Sequence, residues 1–122
     1  MTGTLGVAIE YFDSFNRRDW SALRDVLHRE YTYTGRDGEQ RVGVDAGVEH
    51  SQRFADRFPG LILEVKSIHD FSDGAVVEFV PNLGERDERN LGAREPWICA
   101  VLEIKDGRIH TEREYWQQSV TG

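Results

Sequence analysis

The stretch from Arg108 to Gln118 carries the densest acid–base chemistry in this sequence. Read as a strand, its alternation puts His110, Glu112, Glu114 and Trp116 on one face and Ile109, Thr111, Arg113 and Tyr115 on the other. Two carboxylates at alternate positions stand ~7 Å apart, close enough to share or relay a proton. Burial in an apolar site lifts a carboxyl toward the working range of a general base, whereas the same pattern on an exposed strand end only keeps the surface wet. His50 lies one helical turn before Phe54 on an apolar stripe. An imidazole titrating near ~6.5 suits acid and base roles alike, and a histidine bonded to a backbone carbonyl at the stripe's edge is the plainer alternative. Tyr31 and Tyr33 share a strand face, either as phenol-tipped cavity lining or as ordinary core. His28 and His69 lack partners at ligand spacing, so no metal site is expected. There is no glycine-rich phosphate loop, and Cys99, the single cysteine, reads as a small apolar residue inside a strand.

Helices and strands that could position these groups follow from periodicity. Leu5, Ala8, Ile9, Phe12 and Phe15 recur at helical steps, and Asn16-Arg17-Arg18 closes that helix. Asp19 is a plausible N-cap for a short second helix with Trp20, Leu23, Val26 and Leu27 as its apolar face. The run Tyr31 to Thr34 favours a strand, which Asp37-Gly38 turns into a short partner over Gln40 to Gly43. A third helix spans Asp45 to Arg57, with Gly47, His50, Phe54 and Phe58 along one stripe, and Pro59-Gly60 ends it. The period then changes to two. Strands are expected from Leu61 to the turn at Ser72-Asp73-Gly74, from Ala75 to Val80, from Trp97 to Ile104 and from Arg108 to Gln118. All three Asp-Gly pairs, the third at Asp106-Gly107, are expected to supply left-handed turn geometry. Residues 81–96 are polar and charged, reading as a long exposed connection, either a loop or an extended hairpin tip.

The 122 residues fit one domain, 1–122, and 39% hydrophobic with 11% aromatic residues is enough for a packed core. A net charge of −7 repels a phosphate backbone, so a nucleic-acid partner is not expected. No apolar window approaches the ~18 residues of a membrane span, and the N-terminus has no basic, apolar leader pattern, so the expected location is cytoplasmic.

Three segments in this order resemble the nuclear transport factor 2-like superfamily, in its SnoaL-like branch of polyketide cyclases and ketosteroid isomerase relatives. They are EYFDSFNRRDWSALRDVLHREYTYTG, VGVDAGVEHSQRFADRFPGLILEV and VLEIKDGRIHTEREYW. The resemblance implies an α+β fold: a curved antiparallel sheet forming a cone, with about three N-terminal and intervening helices on its concave face. It also implies a homodimer formed through the outer sheet face and a hydrophobic small-molecule ligand in the cone. Tyr11 matches the tyrosine that, in the isomerases, donates to a developing enolate oxygen. The isomerases' catalytic aspartate falls near Thr34-Gly35, and the acid completing their oxyanion hole falls close to Ala100. Neither position can do that chemistry here. Aligning the strands aims Tyr31, Tyr33, His110, Glu112, Glu114 and Trp116 inward.

Two functions are consistent with these residues. One is a cofactor-free isomerase or cyclase acting on a hydrophobic ketone, with Glu112 or His50 as base and Tyr11 as oxyanion donor, and with Tyr31, Tyr33, Phe54, Glu114 and Trp116 lining the substrate site. The other is a non-catalytic module that uses the same cone to hold a small ligand or to dimerise; the missing carboxyls at Thr34-Gly35 and Ala100 favour it. An epoxide-hydrolysing site would need an Asp-Arg-Asp set that does not converge in this sequence.

Overall fold

Apolar residues at helical steps build the first layer. In the computed structural model, which describes residues 3–84 and 96–117, α1 (Thr4–Asn16) buries Val7, Ala8, Tyr11, Phe12 and Phe15. Its end is anchored by side chains. Asn16 behaves like a strand neighbour toward Leu63: its Nδ2 donates to the Leu63 carbonyl at 3.0 Å and its Oδ1 accepts from the Leu63 N–H at 2.9 Å. Asp19 caps α2 (Trp20–Asp25) by accepting from the Ala22 N–H, and the Trp20 ring meets Phe15 edge-on. The Asn-x-x-Asp-Trp junction is therefore a hinge clamp between α1, α2 and the sheet.

Leu27 does not complete the apolar face of α2, as its spacing suggests. Helix α2 stops at Val26, and Leu27 opens β1 (Leu27–Thr34). Then come β2 (Gln40–Val42), α3 (Val44–Arg57), β3 (Ile62–Phe71), β4 (Gly74–Asn82), β5 (Ile98–Lys105) and β6 (Arg108–Trp116). Strand β4 runs through Pro81 and Asn82, so the connection expected from residue 81 begins later; its residues 85–95, with the run Arg86 to Arg89, and Gln118 lie outside the described residues.

The strands form one curved, open sheet in the order β2-β1-β6-β5-β4-β3. Four ladders are antiparallel, as expected, but β1 and β6 pair in parallel. That junction joins the first strand to the last, one strand in from the β2 edge of the sheet, and Tyr31, Tyr33, Glu112 and Glu114 all sit on its two strands. Helix α1 lies across β3 and β4, with Phe12 packed on Phe79 at 4.9 Å between ring centroids. Helix α3 lies against β1, burying Gly47, Val48, Ser51 and Ala55.

Two Asp-Gly turns show different physics. At Asp106-Gly107 both residues have positive φ, 54° and 73°, as a tight hairpin of this hand requires. At Asp73-Gly74 neither does. Gly74 is needed there for space, because a Cβ would lie 2.2 Å from the Leu102 carbonyl oxygen.

Candidate active site

An inward row of side chains on β6 forms the floor of a cavity between the sheet, α1 and α3. Its volume is about 270 Å³, and its walls include Phe12, Phe15, Phe54 and Phe79. The alternation expected for β6 is broken once. His110 is an extra residue: Thr111 pairs with Glu103 and Ile109 with Ile104, leaving His110 between them. The insertion exchanges the faces, so Ile109 is fully buried in the core. His110 instead packs its ring edge-on against His28 at 5.1 Å, away from the cavity lining. Beyond the bulge the alternation holds, and Glu112, Glu114 and Trp116 face the cavity.

Glu112 is 1% exposed, an unusual position for a carboxyl. Two phenols meet one of its oxygens: Tyr11 donates to Oε1 at 2.6 Å and Tyr31 donates to the same atom at 2.8 Å. Glu114 has a phenol of its own, with Tyr33 donating to its Oε1 at 2.7 Å. Burial raises the Glu112 carboxyl well above the ordinary range, the neighbouring Glu114 charge raises it further, and the two phenols oppose them. Glu114 is raised chiefly by burial, while hydrogen bonds from Tyr33 and from Glu112 pull it back. Burial thus favours the protonated form of both carboxyls, and the Glu114 charge favours it further at Glu112. All three phenols are held above their ordinary value, chiefly by burial, and stay protonated.

The other expected residues fall around this pair. His50 lies in the cavity wall with its ring 4.9 Å from that of Tyr33, and burial keeps its imidazole below the usual value, hence neutral near pH 7. Phe54 lines the wall one turn further on. The indole N–H of Trp116 is buried and leans toward Glu114 without reaching hydrogen-bonding geometry. Cys99 is half-buried rather than buried, because it points away from the core between Ile98 and Ala100.

Ala100 pairs directly with Glu114 across the β5–β6 ladder. Glu114 therefore stands beside Ala100 across that ladder. Sequence reasoning missed Arg36, Asp37 and Arg41, which also line the cavity. Their segment reads locally as a turn, and only the position of the β1–β2 hairpin beside the cavity shows otherwise.

The SnoaL-like domain family matches residues 8–111. The chain belongs to this family. Solved structures agree in fold. A candidate ketosteroid isomerase from Kribbella flavida superposes with a TM-score of 0.80 at 21% identity, covering 98% of this chain and 81% of that one. An NTF2-like protein of unknown function from Mesorhizobium loti gives 0.79 at 18%, covering 94% and 91%. A candidate polyketide cyclase from Sinorhizobium meliloti gives 0.74 at 19%, covering 88% and 92%. No curated protein sequence matches the chain. At these identities the likeness extends to the fold, and this SnoaL-like fold hosts several chemistries. Among the described residues, no helix is long and apolar enough to cross a membrane.

Proposed function

We propose that this SnoaL-like protein is a cofactor-free isomerase or cyclase that enolises a hydrophobic ketone with the Glu112–Glu114 pair. One observation carries the reading: a buried carboxyl held by two tyrosine hydroxyls and a half-buried one held by a third, two residues apart on β6, form the floor of an apolar cavity. A buried charged pair is expensive unless every lone pair is served, and this one is placed where a ligand can reach it.

We assign Glu114 as the base and Glu112, which burial and the Glu114 charge both raise, as the acid, so the base moves two residues from the position expected on spacing. The Glu114 carboxylate takes a proton from the carbon next to the substrate carbonyl. The C–H electron pair becomes the new C=C bond, and the carbonyl oxygen takes the proton of Glu112. Glu112 is then the carboxylate, and the Tyr11 and Tyr31 hydroxyls already aimed at its Oε1 stabilise that charge. Return of the Glu114 proton to another carbon gives an isomer. Attack of the enol carbon on a second carbonyl gives a ring: the C=O π pair moves onto that oxygen, which takes the proton from Glu114. In either case Glu112 recovers its proton from the oxygen.

Tyr11 in this reading is a positioning residue, since its hydroxyl is committed to Glu112 and not to the substrate. His50, neutral, offers an N–H to the substrate from the wall.

The test is deuterium exchange into acetophenone and larger aryl ketones in deuterium oxide, followed by proton NMR. Wild type is expected to accelerate exchange, and Glu114→Gln to lose about 100-fold or more. Exchange at the wild-type rate in Glu114→Gln removes Glu114 as the base. The non-catalytic reading is supported by Thr34 and Ala100 standing where related isomerases carry carboxyls, and it predicts ketone binding without exchange.

A further inference from the structure

The acidic floor of the cavity has a basic counterpart at its mouth. In a chain of net charge −7, two arginines line this cavity, Arg36 and Arg41, both from the β1–β2 hairpin. Each lies over an aromatic ring whose polar tip is directed toward Glu114. The Arg36 guanidinium carbon is 5.1 Å from the Trp116 ring centroid, and that of Arg41 is 5.9 Å from the Tyr33 ring centroid. The cavity is therefore layered, with carboxyls at the floor, Tyr33 and Trp116 in the middle, and guanidiniums above them.

Stacking on a ring leaves the guanidinium N–H edge free to donate. Little else claims those edges. Among the described residues Arg36 makes no ion pair. Arg41 approaches only Glu39, at 3.9 Å, too far for a hydrogen bond. Asp37, also in the lining, accepts the Glu39 N–H on Oδ1 at 3.0 Å; among the described residues it forms no ion pair with either arginine, although the Arg41 charge helps hold its carboxyl below the ordinary value. The arginines do not serve the floor either, since neither offsets the burial that raises Glu114.

We propose that the cavity takes a ligand with a carboxylate at one end, held by Arg36 and Arg41, and with its apolar body and carbonyl directed down toward Glu112 and Glu114. The carbonyl end rests on the enolisation reading above; the carboxylate end does not. The substrate class is then a hydrophobic keto acid rather than a neutral ketone. The arginines select it by planar, charge-assisted hydrogen bonds, and the dyad's negative charge at the floor keeps the acid end from entering first.

Cinnamate and cinnamamide, flat molecules that differ only in the charge of the end group, are the probes. Calorimetric titration of wild type is expected to give cinnamate about tenfold tighter binding than cinnamamide or better, a preference that shrinks as salt rises. Arg36→Gln/Arg41→Gln should abolish the preference while leaving cinnamamide affinity and the melting temperature near wild type. An equal affinity for the two probes, binding of neither, or a preference that survives the double substitution overturns the proposal. Exchange into acetophenone, a neutral ketone, is scored separately. Its absence alongside an arginine-dependent cinnamate preference removes the enolisation reading and leaves the carboxylate site standing.

Discussion

Replacing Gly47 with alanine, a change outside the cavity lining, should disable the carboxyl pair through one clash. A Cβ at Gly47 would lie 2.6 Å from Tyr31 Cε1 and 2.9 Å from its Cδ1, with Leu27 Cδ1 at 3.5 Å. Carbon atoms in contact prefer roughly 3.5–4.0 Å, so the ring or the helix must yield by about 1 Å. Tyr31 is 2% exposed and cannot swing away. Displacing its ring by that much stretches the 2.8 Å hydrogen bond to Glu112 past a useful length. Overpacking costs about 1–3 kcal/mol, and weakening a hydrogen bond to a carboxyl costs about 1–3 kcal/mol more. Against these, alanine is favoured over glycine in a helix by about 1 kcal/mol. The net expectation is a loss of about 3 kcal/mol, which for a domain of this size lowers the melting temperature by roughly 10 °C. Urea denaturation followed by tryptophan fluorescence measures it. Gly35→Ala is the internal control: its Cβ would meet Tyr33 no closer than 3.1 Å, a contact relieved by a few tenths of an ångström. Gly47→Ala/Tyr31→Leu, which removes the ring, should recover part of the loss. A Gly47→Ala variant as stable as wild type, or more stable, would falsify the claim that Tyr31 is locked between α3 and Glu112.

Two further perturbations probe the proton in the floor and the hinge clamp. Glu112 keeps its proton to higher pH in the folded chain than in the unfolded one, where it is lost near the ordinary 4.5. The native state therefore binds more protons, and the contribution to stability is complete below about 4.5. It is lost as pH rises toward the folded value, at up to about 1.4 kcal/mol per pH unit. The amide in Glu112→Gln can accept from Tyr11 and Tyr31 and donate to Glu114 as the protonated acid does. Its stability should match wild type in acid and exceed it in base, and parallel stability curves for the two proteins between pH 5 and pH 8 would show that Glu112 is already ionised in the native state. Asn16→Ala removes both hydrogen bonds to Leu63 and leaves two backbone groups of β3 unpaired, for an expected cost of about 1–3 kcal/mol in chemical denaturation; a change under about 0.5 kcal/mol would mean that water replaces the clamp.

Local chemistry made much of this molecule legible before any coordinates. The spacing of Ala8, Phe12 and Phe15, the Asp19 cap and the Asp106-Gly107 turn each depend on residues a few positions apart, and each formed as read. Leu5 and Ile9, read on the same face of α1, are exposed, and α3 buries Gly47, Val48, Ser51 and Ala55 and ends before Phe58, so the stripe read through His50, Phe54 and Phe58 is not its buried face. Of the residues that alternation and the family alignment aimed at the cavity, Tyr33, Glu112 and Glu114 line it, whereas Tyr31 is not in the lining but buried in the core, where its hydroxyl meets Glu112. The reading failed where two local rules competed, at Leu27, which satisfies the end of α2 and the start of β1 equally well. It failed again at His110, where a bulge reversed the faces at no cost visible in residue types.

What the tertiary structure decided is the chemistry. Tyr11 reaches Glu112 across 101 positions of sequence, and Tyr31 and Tyr33 reach their carboxyls across 81. The Tyr31 and Tyr33 meetings depend on a parallel junction between the first and last strands, and a one-residue slip of either strand would send its side chains to the other face. The upward shift of Glu112 and Glu114 depends on burial, which no single segment supplies. Arg36 and Arg41 carry no signal along the chain beyond an ordinary turn; the folded hairpin places them beside the cavity. Spacing along a chain specifies which face a side chain takes, because that is set by the backbone within a few residues. Its acidity and its partners are set by the dielectric and the donors around it, and those arrive from the rest of the fold.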